Sequence, residues 1–397
     1  MTQAATRVLI MAGDTDGNIG DRAIVLSTCD ELRRQYPGVK IALLSSNPAV
    51  DRWDFGAEPL PRGPVGLIPL IKAALASDVV LIGGGGLFQD DSSLVKMPYW
   101  ALRTAFLRCI SRRVVGYSLG VGPLTWASSR WAARLAFACM HQVSVRDDPA
   151  RAVSRSLTAK HVRCVPDPAL MLVPASAEEA DGLLRTAGIR LDGSPVVGVA
   201  VRRWFHQQSP LIPHKFAVKY RLRPIPGKRQ CEQMIALLAE ALQRLTETVG
   251  AQILFMPTYT VSHEADDTIS REIMRRLPSR STGIVQISDP RLYKAVTGVV
   301  DVMLCGRMHA AVLAAPMGTP VVGLSYNPKF DGFFTLIGSQ ATLLDIETFV
   351  TNGMVDELAT LLERCIGSRT TVSAELGRLT ESTRGFLREL LGSGETA

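Results

Sequence analysis

The chain has 397 residues, 47% of them apolar and 20% charged, an ordinary globular composition that is too long for one hydrophobic core and so predicts two domains. Its 44 Lys and Arg against 37 Asp and Glu give a formal net charge of +7, which points to anionic partners such as a phosphorylated substrate or an anionic surface. The seven cysteines are scattered, with no Cys-x-x-Cys pair and no zinc-type Cys/His spacing, which excludes a disulfide framework and a structural zinc site and reads as reduced packing residues in the cytoplasm.

In chain order, a short polar start over 1–6 runs straight into Val8-Leu9-Ile10-Met11, a first strand that leaves no room for a signal peptide. A helix is predicted over 21–36, then strands at 40–44, 78–82, 113–117 and 143–145 with helical stretches between them. The most apolar region, 67–88, is interrupted by Lys72, Asp78 and four glycines, so no membrane span is expected there. Residues 99–113 carry an apolar face with Trp100, Phe106, Leu107 and Ile110 and arginines opposite; core packing is the reading adopted, with interfacial membrane contact as the other. The pattern loosens after Pro166-Asp167-Pro168, through 174–193, where a domain boundary is placed.

A second series follows: strand 195–201, helix 230–247, strand 251–256, helix 265–276, strand 284–287, helix 290–296, the apolar run 299–305, helix 310–317 and strand 320–324. Such alternation predicts an α/β fold with parallel sheets covered on both faces. The expected architecture is two Rossmann-like domains facing a cleft, 1–175 and 194–350, with C-terminal helices in 351–397 that have room to pack back across both. Residues 215–229 hold six Lys or Arg and no acid, a solvated loop or one that lies near an anionic acceptor or bilayer. Only Phe216 and Tyr220 are aromatic there, too few for base stacking, so nucleic acid is not an expected partner.

Chemistry concentrates at predicted strand ends. Gly306-Arg307-Met308-His309 closes the run 299–305 and delivers a cation and an imidazole to the sheet edge where open α/β folds bind ligands. Arginine can fork a phosphate or carboxylate, and histidine can move a proton; an incidental triplet is the bland alternative. Arg202-Arg203-Trp204 closes strand 195–201, and with Arg307 this pair is suited to both anionic groups of a small di-acid. Lys329, in Tyr326-Asn327-Pro328-Lys329, adds a cation at the same edge.

In the first half, the loop 13–21 carries Asp14, Asp16 and Asp21, which suit sugar hydroxyls better than a pyrophosphate, beside the plain reading of a turn and helix cap. Gly83-Gly84-Gly85-Gly86 after strand 78–82 predicts close backbone approach, such as a ligand floor. Tyr117-Ser118-Leu119-Gly120-Val121-Gly122-Pro123-Leu124 repeats that theme. A Gly-x-Ser-x-Gly elbow and a Walker pattern are missing, and so is an acidic metal cluster unless Asp90 and Asp91 serve that way, so no metal is expected.

Taken in order, these loops resemble the polysaccharide pyruvyl transferase family. The resemblance rests on Gly17-Asn18-Ile19-Gly20-Asp21-Arg22-Ala23-Ile24, the run from Gly83 to Asp90, Ser118 to Leu124, Ser144-Val145-Arg146-Asp147 and Asp167-Pro168-Ala169. It continues through Val199 to Trp204, Gly306-Arg307-Met308-His309 and Gly323 to Lys329, from residue 8 to about residue 338. Met308 stands where leucine is common in the family, and 257–266 matches the family's acidic loop only approximately.

The resemblance implies a fold similar to the glycosyltransferase-B arrangement. It also implies transfer of pyruvate from phosphoenolpyruvate to two hydroxyls of a sugar in an exopolysaccharide, cell-wall polymer or lipid-linked precursor. The product is a ketal, phosphate leaves, and phosphoenolpyruvate is a co-substrate with no cofactor beside it. It casts His309 as general acid and Arg202, Arg203, Arg307 and Lys329 as donor ligands. Asn18, Asp21, Gly84, Gly85, Gln89, Asp90 and Gly120 fall on acceptor-side loops, and His263 is either an acceptor ligand or a surface histidine. The implied setting is cytoplasmic, with peripheral contact at the inner face of the membrane for a lipid-linked acceptor. The competing reading is a glycosyltransferase of the same architecture using a nucleotide-sugar donor; the 307–309 loop itself offers no carboxylate for a ribose, which favours the small di-anion.

Overall fold

Short runs of Val, Ile and Leu, buried on both faces, form two wholly parallel sheets in the computed structural model, which describes residues 6–91, 93–204, 227–261, 266–278, 281–369 and 374–392. His263 and the greater part of the basic segment 215–229 lie outside the described residues. Among the described residues the first sheet has seven strands: β1 (Arg7–Met11), β2 (Lys40–Ser45), β3 (Glu58–Pro61), β4 (Val79–Phe88), β5 (Val114–Val121), β6 (Gln142–Val145) and β7 (Val162–Cys164). Their order is β3-β2-β1-β4-β5-β6-β7. The second has six, β8 (Val196–Ala200), β9 (Gln252–Phe255), β10 (Thr282–Ile284), β11 (Val302–Cys305), β12 (Val321–Ser325) and β13 (Leu343–Asp345), in the order β10-β9-β8-β11-β12-β13. In both, the order reverses beside the first strand of the series, which opens a crevice at the carboxyl edge.

The edge strands β3, β7 and β13 escape the sequence reading because they are short, and β3 carries Pro59 and Pro61, which only an edge tolerates. The strand expected to stop at Ile82 runs on through the glycines to Phe88. Gly83, Gly84 and Gly85 have φ of 152°, 72° and 93°, so the strand can continue there only without side chains, and its register with β5 shifts between Gly85 and Phe88.

Helices α1 (Ile19–Gln35) and α2 (Pro48–Phe55) belong to connections leading away from β1 toward β3, while α3 (Leu67–Ala76), α4 (Lys96–Ile110) and α5 (Ala127–Cys139) precede β4, β5 and β6. Right-handed crossovers place these two groups on opposite faces of the first sheet. One core lies between that sheet and α3, α4 and α5, including Leu70, Trp100, Leu107 and Phe137. Another runs from α1 into the second domain, joining Ile24 and Leu32 to Tyr293, Met308 and Ala311.

The domains are bound together by specific contacts. Buried Lys294 donates to the carbonyls of Leu170 and Leu172 at 3.1 and 2.7 Å, and Arg291 pairs with Asp30. The two C-terminal helices divide between the domains. Val355–Cys365 packs into the second-domain core. Ala374–Gly392 crosses to the first, where Phe386 stacks on Tyr117 at 5.8 Å and Tyr36 donates to the Arg388 carbonyl at 2.7 Å. Among the described residues no helix is long and apolar enough to cross a membrane.

Candidate functional site

The first turn of α1 is built to meet the other domain. Asn18 caps it, its Oδ1 accepting from the amides of Gly20 and Asp21 at 3.1 and 3.4 Å, a cap worth about 1 kcal/mol. The Ile19 amide donates to the Thr258 carbonyl at 3.0 Å and the Thr260 amide to Gly17 at 3.1 Å, so backbone of one domain is bonded to backbone of the other. Arg22 reaches the Ser288 carbonyl at 3.2 Å and pairs with Asp51 and Asp54.

His309 stands against this turn. It lies in the first turn of the helix Met308–Ala314, which begins two residues earlier than the sequence suggested, with Arg307 at the cap position. A Cβ on Gly20 would come within 2.1 Å of His309 Nδ1; only glycine lets the imidazole fit. On the other edge, Nε2 is 3.4 Å from Oδ2 of Asp167, close enough for charge pairing, although the two atoms are not aligned as a hydrogen bond and neither makes another. Asp167 in turn lies 3.7 Å from Arg146, which also holds Asp147 at 3.2 Å. Burial pushes the Asp167 carboxyl upward, but His309, Arg146 and the Ala169 amide outweigh it and hold the group below its ordinary value.

A cationic wall faces the cleft from the second domain. Tyr326 sits with Arg202 4.7 Å and Lys329 Nζ 5.0 Å from its ring centroid. Burial alone would raise the phenol, yet Lys329, Arg202 and Arg307 bring it down to about 8. Arg203 accepts from Arg202 Nε at its backbone carbonyl, at 3.2 Å, and its charge opposes the burial that raises the Cys231 thiol in the helix Lys228–Val249. Arg307 closes a fork on the buried Asp266, at 2.9 and 2.5 Å, and Asp266 also accepts from the Tyr259 amide at 3.0 Å. The first domain answers with Lys96, the first residue of α4, whose Nζ donates to the Gly86 carbonyl at 2.7 Å. Its ammonium is disfavoured by burial and by Lys329, with Asp91 and Asp21 opposing. Asp21 is itself pushed upward by burial, against the pull of His309. Asp91 receives Asn327 Nδ2 from across the cleft at 3.5 Å, while its Oδ1 is buried with no hydrogen-bond partner among the described residues.

The structure thus brings together Asn18, Asp21, Arg202, Arg307, His309 and Lys329 at the junction. Asp90, read as an acceptor residue, is occupied otherwise. Fully buried, it accepts from Thr125 and from the Trp126 amide at 3.1 and 3.0 Å and fixes the turn before α5. Gly84, Gly85 and Gly120 serve close packing. A Cβ would strike Ile24 from Gly84, Asp21 from Gly85 and the Gly85 carbonyl from Gly120. Gln89 lies beside Gly86. The sequence reading also misses four groups. Asp167 and Arg146 belong to family-like motifs that assign them no role, Asp266 ends the loop 257–266, and Lys96 heads an apolar helix with nothing to single it out. A carboxylate does reach Arg307 from another segment, but Asp266 is fully buried and spends both oxygens on Arg307 and the Tyr259 amide. Among the described residues no group of three or more His, Cys, Asp or Glu is placed to hold a metal ion.

A family model described as polysaccharide pyruvyl transferase matches residues 18–328. No curated protein matches the chain in sequence. Among solved structures, the UDP-GlcNAc 2-epimerase from Methanocaldococcus jannaschii is similar at TM-score 0.59 and 12% identity, over 98% of this chain and 100% of that one. The UDP-GlcNAc 2-epimerase from Neisseria meningitidis bound to UDP-GlcNAc gives 0.58 and 13%, over 98% and 100%. A glycosyltransferase from Rickettsia africae gives 0.56 and 9%, over 98% and 94%. Identities this low speak to fold alone: two parallel-sheet α/β domains in the glycosyltransferase-B-like arrangement expected from the sequence.

Proposed function

The chain belongs to the polysaccharide pyruvyl transferase family, and from that premise we propose that it moves pyruvate from phosphoenolpyruvate onto two hydroxyls of a sugar, forming a cyclic ketal and releasing phosphate. The observation that carries this reading is the position of His309, wedged between Gly20 and Asp167 at the domain junction, with the cations of Arg202, Lys329 and Lys96 lining the same cleft.

In this reading Arg202, Lys329 and Lys96 neutralise the phosphate and carboxylate of the donor, and Arg307, braced by Asp266, shapes the wall beside them. Asp167 orients the imidazole. His309 gives a proton to the methylene carbon, the double bond is consumed, and the adjoining carbon becomes cationic. One sugar hydroxyl adds there and loses its proton, which restores the acid. The second hydroxyl then displaces phosphate, which leaves with the bonding pair while that hydroxyl's proton is taken up by the medium. A placed histidine contributes about 100- to 10,000-fold to such a proton transfer, and fixed cations stabilise the charge that develops. Asp21, beside the imidazole, and Asp91, whose Oδ1 has no partner among the described residues, are the carboxylates suited to the acceptor's hydroxyls.

A nucleotide-sugar donor is the second reading, favoured by a solved neighbour of this fold that is bound to UDP-GlcNAc. Calorimetric titration separates the two: phosphoenolpyruvate and UDP-GlcNAc are titrated into the protein and into Lys329→Ala. Heat with phosphoenolpyruvate that disappears in the variant supports pyruvyl transfer. Heat with UDP-GlcNAc alone would overturn it.

A further inference from the structure

The outer face of α3, α4 and α5 does not look like the surface of a protein that works in free solution. Each helix buries one apolar side in the first-domain core and also turns large apolar side chains outward. On α4, Tyr99, Leu102 and Phe106 are exposed at spacings of three and four residues, one stripe on the helix, while Trp100 and Leu107 fill the core behind them. Leu102 is 68% exposed. On α3 the stripe is Ile68 and Leu75 with Lys72 between them. On α5 a single large apolar residue, Trp131, is 65% exposed, flanked by Arg130 and Arg134. Neighbouring helices of one layer carry these side chains, so the exposed apolar groups form one field rather than scattered single residues.

The charge of the same region is one-sided. From 92 to 146 the chain has eight Lys or Arg and no Asp or Glu, and from 59 to 77 it has Arg62 and Lys72 and again no acid. Lys72, Arg108, Arg130 and Arg134 are exposed on these helices. Large apolar side chains interleaved with cations, tryptophan included, are the chemistry that seats a surface at the headgroup level of an anionic bilayer. A protein partner would need acids complementary to this cationic face.

We propose that the outer face of α3, α4 and α5 docks this protein peripherally on an anionic lipid bilayer. Its place in the fold gives the docking a use. These helices start at the carboxyl edge of the first sheet, where the cleft opens, and the first residue of α4, Lys96, has its ammonium in the cleft while Tyr99, one turn later, is on the exposed stripe. A docked molecule therefore has its cleft mouth beside the bilayer, where a saccharide on a lipid carrier is presented. That last step rests on the pyruvyl-transfer reading; the docking itself does not.

Co-sedimentation of the full chain with vesicles tests it, with neither donor nor acceptor added, so that the outcome is independent of the reaction. Binding is expected to phosphatidylcholine vesicles containing phosphatidylglycerol, to fall as salt rises, and to be weak on phosphatidylcholine alone. Leu102→Gln with Trp131→Gln should lower binding about tenfold or more. Arg130→Gln with Arg134→Gln should lower it on the anionic vesicles and leave the neutral baseline unchanged; both pairs are on the surface, and unchanged circular dichroism confirms folding. No binding to anionic vesicles at low salt, or binding undiminished in both double variants, would overturn the proposal. So would a wild-type dimer in sedimentation velocity that the Leu102 and Trp131 changes disperse, since a second copy would then cover the face.

Discussion

His309 occupies the space that a side chain on Gly20 would need: a Cβ there would lie 2.1 Å from Nδ1 and 2.4 Å from Cγ. Gly20 is in the second position of α1, where alanine would otherwise favour the helix by about 1 kcal/mol. Its absence of a side chain is thus a requirement set by the other domain. Gly20→Ala is expected to displace the imidazole from Asp167, lowering turnover about 100-fold, as small misplacements of reacting groups do. Overpacking should cost about 1–3 kcal/mol of stability. Turnover and denaturant unfolding are measured together, and the double variant with His309→Ala should regain the lost stability. Full activity in Gly20→Ala would remove His309 from the reaction.

Asp266 makes a second claim of the same kind. It takes both prongs of Arg307 and the Tyr259 amide while fully buried. Asp266→Ala leaves a guanidinium unpaired in a site that water barely reaches, and should cost about 3–5 kcal/mol in unfolding free energy. Asp266→Asn keeps an acceptor oxygen and should cost less than half as much. Equal effects of the two substitutions would mean that the fork does not brace Arg307.

What the sequence shows and hides follows from the range of the interactions. Central strands such as β1, β8 and β11 are legible because burial on both faces demands an unbroken apolar run, and the Arg307 and His309 pair is legible because it ends one. Edge strands of three or four residues carry no such demand. Partners brought from other segments are invisible: Asp266 reaches Arg307 across 41 positions and Asp167 reaches His309 across the domain junction. Lys96 heads a helix that reads as core, and only the tertiary fold aims its ammonium at the cleft. Glycine is ambiguous in the same way, since the run from Gly83 to Gly86 announces close approach without saying that α1 and β5 are what approach it.

Lys294 links the domains under an electrostatic penalty. Burial, with Arg384 adding to it, pushes its amine down to about 8, against about 10.4 for the unfolded chain. Below the folded value both states hold the proton, and the fold bears the whole cost of a buried charge. Between the two values the unfolded state binds more protons, so unfolding free energy rises with pH, by a total on the order of 3 kcal/mol. The difference between wild type and Lys294→Met should therefore grow in favour of wild type from about pH 8 to about pH 10. The lost bonds to Leu170 and Leu172 set only a constant offset. A difference that stays flat across that interval would show the amine to be solvated.

Tyr326 gives the cationic wall a spectroscopic readout. Its phenol is held down to about 8 by Lys329, Arg202 and Arg307 in opposition to burial, so wild type should show an ultraviolet phenolate step near that pH that Tyr326→Phe lacks. Replacing Lys329 by Met removes the largest of the favourable charges and should move the step upward. An anion seated between Lys329 and Arg202 cancels the same charges, so saturating phosphoenolpyruvate should also raise the value, and by linkage donor affinity should weaken as pH rises through the step. Both shifts have one sign because both subtract positive charge from the ring's surroundings. A step that phosphoenolpyruvate leaves in place, in protein shown by calorimetry to bind it, would put the donor away from Tyr326 and with it away from Arg202 and Lys329.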